Sequence, residues 1–284
     1  MAEIQEGPLE KLIEGVGGLC SVTEDLKGNL FAVSLTGSIY QVVNGQLSEV
    51  SNTNGQPSGI CFDNETSYIC DMAHQAIIVQ SLEKSKEDFN LIKEWEGKPL
   101  LGPNSIAYNQ ANNCLYFTDS GPMGESSLVS PKGSLFFADL EEMRLVDLAV
   151  KCLAHPSGIA ITPDGSRVFI AETLRNRILR LSISGTGVSQ LTVFHQFSGR
   201  LGPTAVAISE NEVMCVANYE FKDYSEDGVL SVLSLDGELK GKVTIPNAPE
   251  ITGLFFSKKD PNTLYIVESS TSTIYKKTLT LTNS

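Results

Sequence analysis

Asn104 and Asp119 bracket an apolar segment, NSIAYNQANNCLYFTD, and both side chains carry oxygen atoms that can bind a cation or a polar substrate. Amide and carboxylate oxygens are ligands that Ca²⁺ prefers in proteins. The same side chains also hydrogen-bond backbone N–H groups at the ends of strands and turns. The residue types alone therefore leave a metal site, a substrate site and a structural role open.

A pattern around these two residues recurs six times along the 284-residue chain. Each copy begins with a polar or small residue, continues as an alternating apolar run, turns, and ends as a second apolar run; the copies start at Cys20, Ser58, Asn104, Ser157, Thr204 and Thr252. Alternation around a tight turn is typical of two antiparallel strands, and third and fourth strands such as GSLFFADL and QLTVFHQF follow. Four strands in each of six units predict an all-β, six-bladed β-propeller with antiparallel blades, occupying residues 1–284 as a single domain.

The last copy leaves room for only three strands before the chain ends at Ser284. An open blade edge would expose unpaired backbone groups and invite aggregation. The residues before the first copy include PLEKLIE, which has the pattern of a strand. We therefore predict that residues 8–14 pair with residues 274–279 and close the ring as an N-terminal strand.

Strand direction brings two sets of side chains to one mouth of the central channel. The innermost strand of each blade begins at this face and the second strand returns to it, ending at Ser34, Asp71, Asp119, Glu172, Asn218 and Glu268. We predict a binding site at this mouth, formed by Cys20, Asn104, Ser157, Thr204, Asp119 and Asn218. The four carboxylates at the ends of second strands have two interpretations, structural clasps for backbone N–H groups or ligands for Ca²⁺.

Charge and composition argue against several classes of partner. The net charge of −13 disfavours a nucleic-acid partner, because neutralising phosphates requires clustered Lys and Arg. No apolar stretch approaches the length of about 18–20 residues that a membrane span needs, and the N-terminus does not resemble a secretory signal. Four of the six Cys lie in apolar runs, which is typical of reduced core thiols. These features predict a cytoplasmic protein without a membrane partner.

Two segments, GPNSIAYN…CLYFTDSG and HPSGIAITPDGSRVFIAETLRNRILRLSI, resemble the senescence marker protein 30/gluconolactonase family of six-bladed propellers. The resemblance implies hydrolysis of lactones or phosphotriesters with a divalent cation, usually Ca²⁺, held by Glu, Asn, Asn and Asp at the starts of first strands. These family positions fall at Cys20, Asn104, Ser157 and Thr204. Asn104 alone keeps the family's ligand type, since a thiol and two neutral hydroxyls suit Ca²⁺ poorly. We expect no cofactor, with Ca²⁺ as the candidate if the family site still functions.

No nucleophile elbow, zinc-protease motif or phosphate-binding loop occurs in the sequence. We therefore predict a catalytically diverged pseudoenzyme, acting as a binding or scaffold protein with a small molecule at the channel mouth or a protein partner in a larger assembly. One alternative is a gluconolactonase-like lactone or ester hydrolase whose metal is held by a changed ligand set. The other is a metal-free enzyme similar to strictosidine synthase, in which Glu268 or Glu172 is the candidate general acid/base.

Overall fold

The computed structural model describes residues 3–63, 66–81, 88–183, 189–221 and 225–282. Within these ranges the chain is almost entirely β-strand, with one short 3₁₀ turn at Thr173–Arg175. No helix in the described ranges is long and apolar enough to cross a membrane.

The strands form six four-stranded antiparallel sheets, which are the blades of a propeller. The chain begins with β1 (Glu3–Ile13) and then forms blade 1 from β2 (Leu19–Glu24), β3 (Leu30–Ser34), β4 (Ser38–Val43) and β5 (Gln46–Asn52). Blade 2 contains β6 (Pro57–Asp63), β7 (Thr66–Asp71), β8 (Ala76–Ser81) and β9 (Phe89–Ile92), followed by a small hairpin of β10 (Glu94–Trp95) and β11 (Lys98–Pro99). Blade 3 contains β12 (Pro103–Asn109), β13 (Cys114–Asp119), β14 (Gly133–Asp139) and β15 (Arg144–Leu153).

The second half of the chain repeats this order. Blade 4 contains β16 (Pro156–Ile161), β17 (Arg167–Glu172), β18 (Arg177–Ile183) and β19 (Ser189–Gln196). Blade 5 contains β20 (Leu201–Ile208), β21 (Met214–Glu220), β22 (Gly228–Leu233) and β23 (Leu239–Ile245). Blade 6 contains β24 (Ile251–Phe256), β25 (Thr263–Glu268) and β26 (Thr273–Thr282). The fold prediction of a six-bladed β-propeller is confirmed.

The N-terminal strand β1 completes blade 6 by pairing with β26. Leu9 lies opposite Lys277 and Ile13 opposite Ile274, so the predicted closure by an N-terminal strand is confirmed. The strand is longer than residues 8–14, because it starts at Glu3. A register shift between Glu6 and Leu9 allows pairing to continue past Pro8, which has no backbone N–H to donate.

The hydrophobic core is divided among the gaps between neighbouring blades. Six apolar clusters occupy the six gaps, and each combines side chains from two adjacent blades. Alternate residues of a strand point to opposite faces of the sheet, so each blade contributes to two clusters. In the gap between blades 2 and 3, for example, Ile77 of blade 2 joins Phe117 and Phe136 of blade 3, whose rings stack with centroids 5.4 Å apart.

All six Cys are free thiols, and five of them are buried. Cys152, the sixth, is exposed in the outer strand of blade 3. Burial raises the pKa of the Cys215 thiol to about 12, so this side chain is a neutral core residue at physiological pH.

The innermost strands contact one another in chain order around the channel, and β24 contacts β2 to complete the circle. Their close approach depends on a glycine in every second blade, since Gly59, Gly158 and Gly253 face Ser105, Ala205 and Ser21. A Cβ atom at Gly158 would lie 2.9 Å from the Cα atom of Ala205, which is too close for a side chain. This packing fixes the six starts of the innermost strands in one ring.

Candidate binding site in the central channel

The ring residues are the six side chains at the starts of the innermost strands: Cys20, Ser58, Asn104, Ser157, Thr204 and Thr252. Five of them donate a hydrogen bond to a backbone carbonyl of the next blade in chain order. These contacts run from Cys20 to Pro57 (3.5 Å), Ser58 to Pro103 (3.0 Å), Ser157 to Pro203 (3.4 Å), Thr204 to Ile251 (2.7 Å) and Thr252 to Cys20 (2.9 Å). The hydroxyl and thiol side chains of the ring therefore link the blades to one another.

Asn104 is the sixth ring residue, and its surroundings differ from those of the other five. Within the described ranges, no protein group forms a hydrogen bond with its side-chain amide. The side chain is half-buried and lines the channel. A carboxamide has two N–H donors and a carbonyl acceptor, so Asn104 gives the channel a polar group that can both donate and accept.

The channel contains a cavity of about 420 Å³, which is within the range of roughly 300–1,000 Å³ of small-molecule sites. Ring residues Ser58, Asn104, Ser157 and Thr252 lie at one end of the lining, and the turns that follow the innermost strands lie at the other. Asn104 and Asn109 are five strand residues apart, which corresponds to a depth of about 16 Å. Apolar side chains, including Ile60, Ile106 and Ile159, line the middle.

The far end of the cavity is lined by residues that form polar contacts between blades 1 and 6. The buried carboxylate of Glu24 accepts hydrogen bonds from the Ser257 hydroxyl and the Lys258 N–H, both at 2.8 Å. The Lys258 ammonium donates to the backbone carbonyls of Glu24 and Asp25 at 3.3 and 3.4 Å. Burial lowers the pKa of Lys258, and the nearby carboxylates oppose this effect. Neither Glu24 nor Lys258 was among the predicted site residues, although a charged residue that ends an apolar strand, such as Glu24, is a visible signal.

The six residues predicted for the channel mouth occupy three kinds of position in the structure. Asn104 and Ser157 line the cavity directly. Cys20 and Thr204 belong to the same ring, but their neighbours Ser21 and Ala205 line the cavity in their place. The other two predicted residues, Asp119 and Asn218, lie at the ends of second strands and are not part of this lining.

The side chains at the ends of the second strands form the rim, defined by Ser34, Asp71, Asp119, Glu172, Asn218 and Glu268. Asp119 accepts the backbone N–H groups of Leu101 and Gly102 at 3.0 and 2.8 Å, which fixes the segment that enters blade 3. Burial raises the pKa of Asp119, and the two N–H donors oppose the rise without cancelling it. This carboxylate is therefore a clasp within its own blade.

Asp71 has the same role in blade 2. Its carboxylate accepts the Thr53 hydroxyl at 2.7 Å and the N–H groups of Gln56 and His74 at 3.1 and 3.0 Å. Burial acts to raise the pKa of Asp71, but these hydrogen bonds outweigh burial and lower the pKa below its usual value. The charged carboxylate is thus the form that the fold stabilises.

Glu172, one of the two acid/base candidates, is completely buried on the rim of blade 4. Its carboxylate accepts the Ala154 N–H at 2.8 Å and forms ion pairs with Arg175 at 2.8 Å and Arg177 at 2.6 Å. Both carboxylate oxygens are therefore occupied by groups of the same blade, and Glu172 does not line the channel cavity.

Glu268, the other candidate, is also completely buried and lies outside the cavity lining. It accepts the N–H of Glu250 at 3.2 Å and bonds from both Ser270 and Thr271. Burial acts to raise the pKa of Glu268, but the bonds from Ser270 and Thr271 outweigh it, and the pKa is lowered. A carboxylate held in this way is a weak base.

The donor groups of the ring do not fit a resident divalent cation. The ring offers one amide, four hydroxyls and a thiol, and burial raises the pKa of the Cys20 thiol to about 12. Ca²⁺ requires six to eight oxygen ligands that include carboxylates, and none of the ring residues is anionic. Among the described residues, no three His, Cys, Asp or Glu side chains come together in a group that could hold a metal ion.

A family model covers the half of the chain that contains blades 4 and 5. The model of the SMP-30/gluconolactonase/LRE-like region matches residues 121–270, which is 150 of the 284 residues. The chain belongs to this family. The match confirms the resemblance that the sequence motifs indicated.

The curated proteins that this chain matches are distant from it in sequence. Protein strictosidine synthase-like 10 of Arabidopsis thaliana is 26% identical over 195 residues, which cover 66% of this chain and 50% of that protein. Lactonase drp35 of Staphylococcus haemolyticus is 26% identical over 140 residues, which cover 48% of this chain and 40% of the lactonase. The matched regions thus span half or less of the length of these relatives.

Solved structures share the propeller over nearly the whole chain. A gluconolactonase from Xanthomonas campestris superposes with a TM-score of 0.76 at 17% identity, covering 96% of this chain and 89% of the enzyme. The calcium-binding protein regucalcin from Agrobacterium tumefaciens superposes with a TM-score of 0.78 at 12% identity, covering 96% of this chain and 94% of regucalcin. At these identities the likeness establishes the common fold.

Proposed function

We propose that the chain is a ligand-binding member of the SMP-30/gluconolactonase/LRE-like family that holds a small, neutral, polar molecule in its channel without a metal ion. The main support is the difference within the ring. Five ring side chains donate to the next blade, whereas the Asn104 amide has no partner among the described residues and lines a cavity of about 420 Å³. Asn104 is the proposed polar anchor for the ligand.

The chemistry of the cavity favours a neutral ligand that both donates and accepts hydrogen bonds. The ring around Asn104 carries no charge, and the adjacent walls are apolar. A half-buried amide without partners gains most from a group that satisfies its carbonyl and its N–H together. A lactone, lactam or similar compact carbonyl compound has the size and the polarity for this position.

A lactone or ester hydrolase is the competing function, and the lactonases among the relatives support it. Hydrolysis needs a nucleophile or an activated water beside the bound carbonyl. Glu172 and Glu268 are occupied on the rim, and the carboxylates that line the cavity, Glu24 and Glu210, lie at the end far from Asn104. Binding without turnover is therefore the stronger proposal.

A scaffold role with a protein partner and a cytoplasmic location stay predictions. The free thiols support a reducing compartment, because disulfides are rare there.

Isothermal titration with δ-gluconolactam, a lactam that resists hydrolysis, tests the proposed function. We expect saturable binding that Asn104→Ala weakens about tenfold, the equivalent of about 1.4 kcal/mol. Ser58→Ala is the matched control, because Ser58 lines the same end of the cavity but its hydroxyl already donates to blade 3. We expect this variant to bind the lactam with a dissociation constant within about twofold of that of the unmodified protein.

Parallel assays of gluconolactone hydrolysis with and without Ca²⁺ separate binding from catalysis. We expect no turnover above the uncatalysed rate in either condition. Turnover that depends on Ca²⁺ and disappears in Asn104→Ala would contradict the proposal in favour of the metal-dependent hydrolase. Failure of the lactam to bind would also contradict it.

A further inference from the structure

A second cavity, of about 270 Å³, lies at the rim of blade 5 beside Asn218. Its walls come from the paired ends of β20 and β21, the beginning of β22 and the segment that enters blade 6. None of the ring residues lines it, so it is separate from the channel cavity.

The cavity lies where blade 5 differs from its neighbours in the rim residue and in the length of its first strand pair. Blades 2, 3, 4 and 6 have a carboxylate at this position that accepts an N–H from the segment entering the blade. Blade 5 has Asn218 instead, and its strands pair for two further residues, Gly202 with Tyr219 and Leu201 with Glu220. The extended hairpin forms one wall of the cavity.

Asn218 is a buried polar residue with an unused donor. The side chain is 6% exposed, and its Oδ1 accepts the Ser231 hydroxyl at 2.6 Å. Its Nδ2 is buried and has no hydrogen-bond partner in the described part of the chain. Because buried polar groups are almost always satisfied, an unpaired amide at the edge of a cavity indicates a missing acceptor oxygen.

The charges around the cavity define the rest of the ligand. Arg200 and Glu220 form an ion pair at 2.8 Å, so their charges offset each other. Asp227 and Glu250 add two further carboxylates from different walls, which gives the described part of the lining a net negative charge. Tyr219 also belongs to the lining, and its ring packs edge-on against Phe221 with centroids 5.3 Å apart.

We propose that this cavity binds a small organic cation that also carries an acceptor oxygen. The ammonium or guanidinium group pairs with Asp227 and Glu250, and the oxygen accepts a hydrogen bond from Asn218 Nδ2. A lysine-like or arginine-like amide has both groups. This site is independent of the channel, so it stands whether or not the proposed channel function is correct.

The test is an NMR titration of the full-length, ¹⁵N-labelled chain with Nα-acetyl-lysinamide. The side-chain amide signals of Asn218, assigned by their absence in Asn218→Asp, should shift and saturate as the probe is added. Nα-acetyl-norleucinamide has the same shape without the side-chain ammonium, and it should bind at least tenfold more weakly.

Charge variants complete the test. We expect Asp227→Asn to weaken binding of the lysine probe at least fivefold, whereas Asp147→Asn, an exposed site on the outer strand of blade 3, should leave it unchanged. Three results would each overturn the proposal: Asn218 signals that do not move up to about 10 mM probe, equal binding of the two probes, or equal affinities of the two Asp variants.

Discussion

Asn104 and Thr204 occupy the same position in two blades, but only Thr204 serves the fold. The Thr204 hydroxyl donates to the Ile251 carbonyl at 2.7 Å and joins blade 5 to blade 6. Asn104 forms no such link among the described residues and faces a cavity instead. In a repeat fold, a contact shared by most copies identifies what the architecture needs, and the copy that departs from it is the candidate for function.

The rim repeats the same contrast. Glu172 in blade 4 is buried between two arginines and a backbone N–H, whereas Asn218 in blade 5 keeps an unused donor beside a cavity. Asn104 and Asn218 each depart from the residue type and contact that most other blades share at their position, and each lies beside a cavity.

The largest loss of stability is expected for Glu172→Ala. This change leaves Arg175 and Arg177 without their carboxylate and the Ala154 N–H without its acceptor. Loss of one partner of a buried ion pair costs about 3–5 kcal/mol, and the partial exposure of the arginines places this case near the lower bound. Asn218→Ala should cost only about 1 kcal/mol, because it removes one hydrogen bond. Urea denaturation measures the free energy of unfolding of both variants. Equal losses of stability would contradict the distinction between Glu172, which holds the fold together, and Asn218, which lies beside a cavity.

An intermediate loss of stability is expected for substitutions of the ring residues. Thr204→Val keeps the shape of the side chain but leaves the Ile251 carbonyl unpaired, so we expect a loss of about 1–2 kcal/mol. Asn104→Leu removes an amide that has no partner within the described ranges, and the free energy of unfolding should change by less than about 0.5 kcal/mol. A large loss in Asn104→Leu would mean that blade 3 also depends on its ring residue for stability.

The smallest effect is a pH dependence at His155, in the segment that enters blade 4. Burial lowers the pKa of this imidazole below its usual value, and Nδ1 has no partner in the described chain. The imidazole of His155 therefore binds a proton more readily in the unfolded chain than in the folded one. This residue does not change the free energy of unfolding above about pH 6.5, and it lowers that free energy as the pH falls below that value.

His155→Asn should reduce this decline, since Asn tolerates the left-handed backbone of residue 155 (φ 57°) and does not titrate. Thermal unfolding between pH 7 and pH 5 measures the slope. Asn104→Leu is the control and should keep the wild-type slope. An identical slope in His155→Asn would assign the acid sensitivity to other groups.

Most of the fold could be predicted from the sequence, because the alternating runs and turns specify strand pairs and their spacing specifies blades. The N-terminal strand followed from the need to cover an open edge. Its start at Glu3 could not be predicted, since Gly7 and Pro8 resemble a boundary and only the register shift allows pairing to pass them.

The site was less accessible to prediction. Strand direction placed Cys20, Asn104, Ser157 and Thr204 at equivalent positions, and the structure places them in one ring. The carbonyl acceptors of the next blade have no sequence signature, because every residue carries a carbonyl. The cavity beside Asn218 depends on two additional strand pairs in blade 5, which nothing in the residue types specifies.

The most direct test of the central claim follows the side-chain amide of Asn104 itself. In ¹⁵N-labelled protein titrated with δ-gluconolactam, we expect the two Asn104 amide protons to shift and saturate at the dissociation constant measured by calorimetry. The titration should leave the Asn218 amide unmoved, since the two cavities are separate. Saturable binding that leaves the Asn104 signals unchanged would contradict the assignment of this residue as the anchor.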